Sequence, residues 1–171
     1  MRILIAEDEL NIALSYKRVL EQHKHEVLLT PDGEKCLLYY KKELEQNPQS
    51  QNSGRSPFDA VILDYKMPKK DGMEVAKEIL ELDPNQRIIF ASAYVKDTLM
   101  DSVKQLKQIV ELMQKPFDAT ALVETIEDKE IYNGLEKLNV NVKKIKDFNP
   151  SHEEIRDFLE GLREIMKGRT F

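Results

Sequence analysis

Only one cysteine, Cys36, occurs in the 171 residues, so no internal disulfide can form and no oxidising compartment is implied. Its place in a helix-like stretch reads as a small buried apolar side chain. Long hydrophobic runs are missing too. Met1-Arg2-Ile3-Leu4-Ile5-Ala6 turns acidic at Glu7, which is too short for a signal peptide or a membrane span, so a soluble cytoplasmic protein is expected. Positive charge is not in excess, and a net charge of −5 disfavours a chain whose main work is neutralising a nucleic-acid backbone. His23, His25 and His152 lack metal-ligand spacing, so exposed or helix-end roles suffice for them. No repeat of solenoid length and no extended heptad run is present.

With 41% hydrophobic and 33% charged residues, the chain can build one complete core plus a modest extra element. Short apolar runs alternate with helix-like stretches. Ile3 to Ala6 precedes helical spacing at Ile12, Leu14, Tyr16, Val19 and Leu20, and Val27 to Leu29 precedes 34–46. Ala60 to Leu63 is followed by 73–82, Ile88 to Ala91 by 97–107, and Val110 to Met113 by 118–127. Strands apolar on both faces that alternate with helices predict a parallel sheet covered on both sides. The pieces Pro31-Asp32-Gly33 and Lys70-Asp71-Gly72 punctuate two helix starts, while 47–57 has the composition of a solvated loop at the strand N-terminal edge.

In such a sheet, ligands bind at the C-terminal ends of the strands, near the point where strand order reverses. Glu7 and Asp8 follow the first strand, Asp64 the third, Ser92 the fourth, and Lys115 the fifth. Three carboxylates at one spot repel each other unless a cation lies between them, and an all-oxygen site suits Mg²⁺. A carboxylate can attack a phosphoryl group to form an acyl phosphate, with lysine and serine available to its oxygens. Taken singly, each residue has a plainer role as a loop acid, an Asx-turn or a Lys-Pro turn. Their placement on four strand ends of one fold is what argues for chemistry.

The stretches Ile3-Leu4-Ile5-Ala6-Glu7-Asp8-Glu9, Val61-Ile62-Leu63-Asp64-Tyr65-Lys66-Met67-Pro68 with Asp71-Gly72, Ala91-Ser92-Ala93 and Lys115-Pro116-Phe117 resemble the receiver domain of two-component response regulators. The resemblance covers residues 1–127. It implies an α/β fold with a doubly wound five-stranded parallel sheet in the flavodoxin-like order 2-1-3-4-5. It also implies Asp64 as phosphoacceptor, with Asp8, Asp64 and the backbone carbonyl of Lys66 on Mg²⁺ and Glu7 acting through a metal-bound water. Ser92 and Lys115 would contact the phosphoryl group, and the Lys115-Pro116 peptide is expected cis. A histidine kinase or phosphotransfer protein is the implied donor, and the receiver itself would do no more chemistry than accept the group and slowly release it. Leu112 stands where the family usually carries Tyr or Phe, three residues before the lysine. Tyr94 is the nearest aromatic; it could substitute, and an exposed loop position is its plainer alternative.

Residues 128–171 lose the strand signals and read as a small helical extension, with Ser151 and Glu154 forming a capping box before the last helix. The extension holds nine Lys or Arg and nine Asp or Glu, so no basic face stands out and nucleic acid is not the expected output. Ile155, Phe158, Leu159, Leu162 and Ile165 form an apolar stripe that either packs back on the receiver or meets a second chain in a homodimer. Signalling to a downstream protein is therefore the expected function, with a DNA-binding transcriptional regulator as the alternative. A Mg²⁺-dependent phosphatase of the haloacid-dehalogenase type is disfavoured, because that type has a second Asp where this chain has Lys66.

Overall fold

The computed structural model describes residues 1–46, 56–93, 110–127, 157–159 and 161. Five strands run in the chain order β1 Arg2–Ala6, β2 Glu26–Thr30, β3 Ala60–Asp64, β4 Ile88–Ser92 and β5 Val110–Gln114. The helices among the described elements are α1 Leu10–Gln22, α2 Gly33–Gln46, α3 Gly72–Leu82 and α4 Ala119–Glu127. All strand pairs are parallel, and the sheet order is β2-β1-β3-β4-β5, the order expected above. The chain leaves β1 towards β2 on one side and returns to β3 on the other, so the reversal point lies between β1 and β3.

Alternate side chains of each strand face opposite layers, which is why both faces read apolar in the sequence. Leu4, Val61, Leu63, Ile88 and Phe90 pack with Cys36, Leu37 and Tyr40 of α2 and with Val75, Ala76 and Ile79 of α3. On the other face, Ile3, Ile5, Ile62, Ile89 and Ala91 meet Leu20 of α1 and Leu122, Val123 and Ile126 of α4. Cys36 is fully buried and burial pushes its thiol up to about 12, so it serves as an apolar side chain, as read.

Three helices begin on aspartates that satisfy first-turn N–H groups. Asp32 accepts from Lys35 N at 2.8 Å, and Asp118 from Ala121 N at 2.7 Å. Asp71 and Glu74 form a reciprocal capping box at α3. Residues 157–159 and 161 are helical, with Leu159 buried and Phe158 exposed. The helix expected over 97–107, Tyr94, the capping box at Ser151 and the rest of the apolar stripe lie outside the described residues. No described helix is long and apolar enough to cross a membrane.

Candidate functional site

The sheet brings the sequence-predicted acids together. Glu7 and Asp8 leave the end of β1, Asp64 is the last residue of β3, and ligand oxygens from all three lie within 4.8 Å of one another. Lys115, just beyond β5, reaches across the strand ends and donates to Glu7 Oε2 at 2.6 Å. Its ammonium is also 3.5 Å from Asp64 Oδ1. Ser92 ends β4, is buried, and sits one residue past Ala91, the register partner of Asp64. The Ser92 carbonyl accepts from Lys115 N at 2.8 Å, and the Lys115-Pro116 peptide is cis, as expected. Lys66 is exposed in the loop after β3. Leu112 is half-buried and packs against the α2 and α3 layer.

Backbone approach shapes the loop around Asp64. Tyr65 N donates to Asp64 Oδ1 at 2.8 Å, which orients the carboxylate. Gly72 N donates to Tyr65 O at 2.9 Å, and a Cβ on Gly72 would stand 2.2 Å from the Asp64 carbonyl oxygen. Only glycine allows α3 to start that close to β3. On the other flank, Phe117 stacks on Tyr16 of α1 at 5.3 Å, which holds the segment after Lys115 against the first helix.

Electrostatics mark the site as short of positive charge. Burial raises the carboxyl of Glu7 above its ordinary range, and Lys115 only partly offsets it. Asp64 is raised too, again chiefly by burial, with Lys115 and the Tyr65 N–H pulling the other way. Burial, with the charges of Glu7, Asp64 and Glu9 behind it, also pushes the Tyr16 hydroxyl upward. The donor set is all oxygen, crowded and negative, which fits a hard divalent cation such as Mg²⁺.

The model of the response regulator receiver domain matches residues 3–127. The chain belongs to the response regulator receiver family. The chemotaxis protein CheY of Listeria monocytogenes is 28% identical over 128 residues, covering 74% of this chain and 96% of that protein. Sporulation initiation phosphotransferase F of Bacillus subtilis is 27% identical over 117 residues, covering 68% of this chain and 83% of that one. A solved CheX-CheY-BeF₃-Mg²⁺ complex from Borrelia burgdorferi matches with a TM-score of 0.60 at 25% identity, over 72% of this chain and 84% of that one. Receivers are signalling modules of two-component systems that take a phosphoryl group, bind Mg²⁺ at an acidic site and work with histidine kinases and phosphotransfer proteins.

Two features of this receiver escaped the sequence reading. Asp32, taken only as turn punctuation, is buried and bound by Lys69 Nζ at 2.8 Å. His25, expected at a solvent-exposed or helix-end position, has a mostly buried ring that meets Glu127 Oε1 at 3.2 Å, with His23 Nδ1 at 3.4 Å from the same oxygen. Neither pairing had a local signal, because the partners are far apart in the chain.

Proposed function

We propose that Asp64 is the phosphoacceptor of this receiver. The observation that carries the reading is the Glu7, Asp8 and Asp64 cluster at the strand-order reversal, with Lys115 as its cation. An Asp64 carboxylate oxygen attacks phosphorus, the bond from phosphorus to the donor breaks, and the donor leaves with the electron pair and a proton from solvent. Asp8, Asp64 and the Lys66 carbonyl would hold the Mg²⁺, and Glu7 would act through a water. When bound, the ion supplies positive charge against the phosphoryl oxygens. Lys115 moves its ammonium from Glu7 towards the incoming group, and the Ser92 hydroxyl donates to another phosphoryl oxygen.

The same reading takes 1–127 as the receiver and 128–171 as an extension for protein contacts, in a cytoplasmic protein that a histidine kinase or phosphotransfer protein charges. Self-phosphorylation and slow self-dephosphorylation are its only chemistry. The balanced charge of the extension supports a downstream protein and not DNA as the target. A homodimer through the last helix is read by light scattering on the full chain. Incubation with a small acyl phosphate and Mg²⁺ tests the acceptor: label enters the wild type, and Asp64→Asn and chelation each abolish it. Wild-type labelling of Asp64→Asn would refute the assignment.

A further inference from the structure

We propose that Asp32 and Lys69 form a positioning latch on the loop that carries Lys66, and that this latch sets how tightly the acidic site takes Mg²⁺. The proposal rests on the reading of the Lys66 carbonyl as a metal ligand. That carbonyl belongs to the loop 65–71 between β3 and α3, so its place is only as firm as the loop. The loop ends are held by β3 on one side and by Gly72 N on Tyr65 O on the other. Its middle is held from a different element, the turn between β2 and α2.

Lys69 Nζ donates to Asp32 Oδ2 at 2.8 Å and lies 3.6 Å from Glu34 Oε2. The acceptor is itself fixed, since Asp32 is only 6% exposed and its other oxygen caps α2 through Lys35 N. The backbones meet at the same place. A Cβ on Gly33 would stand 2.3 Å from the Lys70 carbonyl oxygen, so turn and loop are interlocked with no side chain between them. Lys69 has φ 68°, the left-handed region that favours glycine. A lysine persists in that conformation when its surroundings over-determine it, and the ion pair to a buried carboxylate is such a constraint. Asp32 and Lys69 are thus positioning residues that act on the metal through Lys66, three positions before Lys69.

Charge alone and positioning predict different signs. Removing the cation of Lys69 from the neighbourhood of a Mg²⁺ site tightens binding if only long-range charge matters, while removing the anion of Asp32 weakens it. A latch predicts weaker binding in both. The test is Mg²⁺ titration of the full chain, followed by tyrosine fluorescence, since the sequence has no tryptophan and Tyr65 lies between Asp64 and Lys66. Asp32→Asn keeps an oxygen for Lys35 N, so α2 retains its cap. Expected are losses of Mg²⁺ affinity on the order of tenfold in both Asp32→Asn and Lys69→Met. The double variant should be no worse than either single one, because both break one interaction. Lys69→Arg should stay within about threefold of wild type, because it keeps a donor for Asp32. Opposite signs in the two single variants, additive losses, or unchanged affinity would each overturn the latch. A wild type with no Mg²⁺ response would instead refute the metal-site reading, and the latch with it.

Discussion

At the N-terminal end of the sheet, buried Glu111 is clasped by Arg87 at 2.6 and 3.1 Å, whereas at the C-terminal end the equally buried Glu7 shares the ammonium of Lys115 with Asp64. Arg87 also donates to the carbonyls of Thr125 and Ile126, which closes the C-terminus of α4. Nearby, Arg2 donates to Glu26, Glu43 and the Pro57 carbonyl, lies over the Phe58 ring, and its backbone N–H reaches Asp59. Each of those carboxylates accepts a hydrogen bond from Arg2 or Arg87. At the other end, three carboxylates face one lysine among the described residues, and two of them are raised by burial. The same sheet carries stability at one end, and at the other an unneutralised charge that a ligand can relieve.

The largest effect that would sharpen this contrast is at the N-terminal end. Arg87→Ala leaves Glu111 buried without its bidentate partner and α4 without its closing donor, and should cost about 3–5 kcal/mol in urea unfolding. Phosphoryl uptake per folded molecule should not change, and a loss of uptake would break the division between the two ends. Leu112→Ala comes next. Since Leu112 is half-buried, the loss should be about 1–2 kcal/mol, below the range for a fully buried leucine.

A smaller effect of opposite sign is expected at the site. Asp8→Asn removes one of three crowded charges, so the metal-free protein should gain about 0.5 kcal/mol while the stabilisation by added Mg²⁺ disappears. Unfolding with and without chelator measures both, and a metal-free loss would contradict the picture of charge held in excess.

The smallest effect is in the pH profile of the metal-free protein. Glu7 and Asp64 have folded-state pKa values above their ordinary 4.5 and 3.8. Their contribution is therefore present below those values and is lost as pH rises through the raised ones. Asp32 and Glu78 are lowered, chiefly by Lys69 and Lys70, so theirs is present above 3.8 and 4.5 and is lost on acidification. The stability of Asp64→Asn relative to wild type should then climb as pH rises from about 4. A difference flat with pH would remove the raised Asp64 from the account.

Much of the site was legible because its residues sit at the boundary between an apolar run and a helix, a position any parallel sheet gathers to one edge. Glu7, Asp8, Asp64, Ser92 and Lys115 were placed by that rule, and the roles proposed for them come from the resemblance of the ordered motifs. The register Asp64 to Ala91 and the lysine contacts with Glu7 and Asp64 agree with it. Asp32 was visible only as part of a turn, because Pro31-Asp32-Gly33 explains itself locally and gives no reason to look 37 residues on for Lys69. His25 escaped for the same reason, its partner Glu127 being 102 residues away.

By itself the sequence determined the alternation of strand and helix, the burial of both sheet faces and the identity of the acids at the strand ends, since burial is a property of one side chain at a time and leaves a period in the chain. Tertiary structure alone decided the pairings: Lys115 on Glu7, Arg87 on Glu111, Lys69 on Asp32, and Gly33 against the Lys70 carbonyl. Each depends on two distant backbones arriving at a set distance, and strand register and helix packing fix that distance while no local pattern records it.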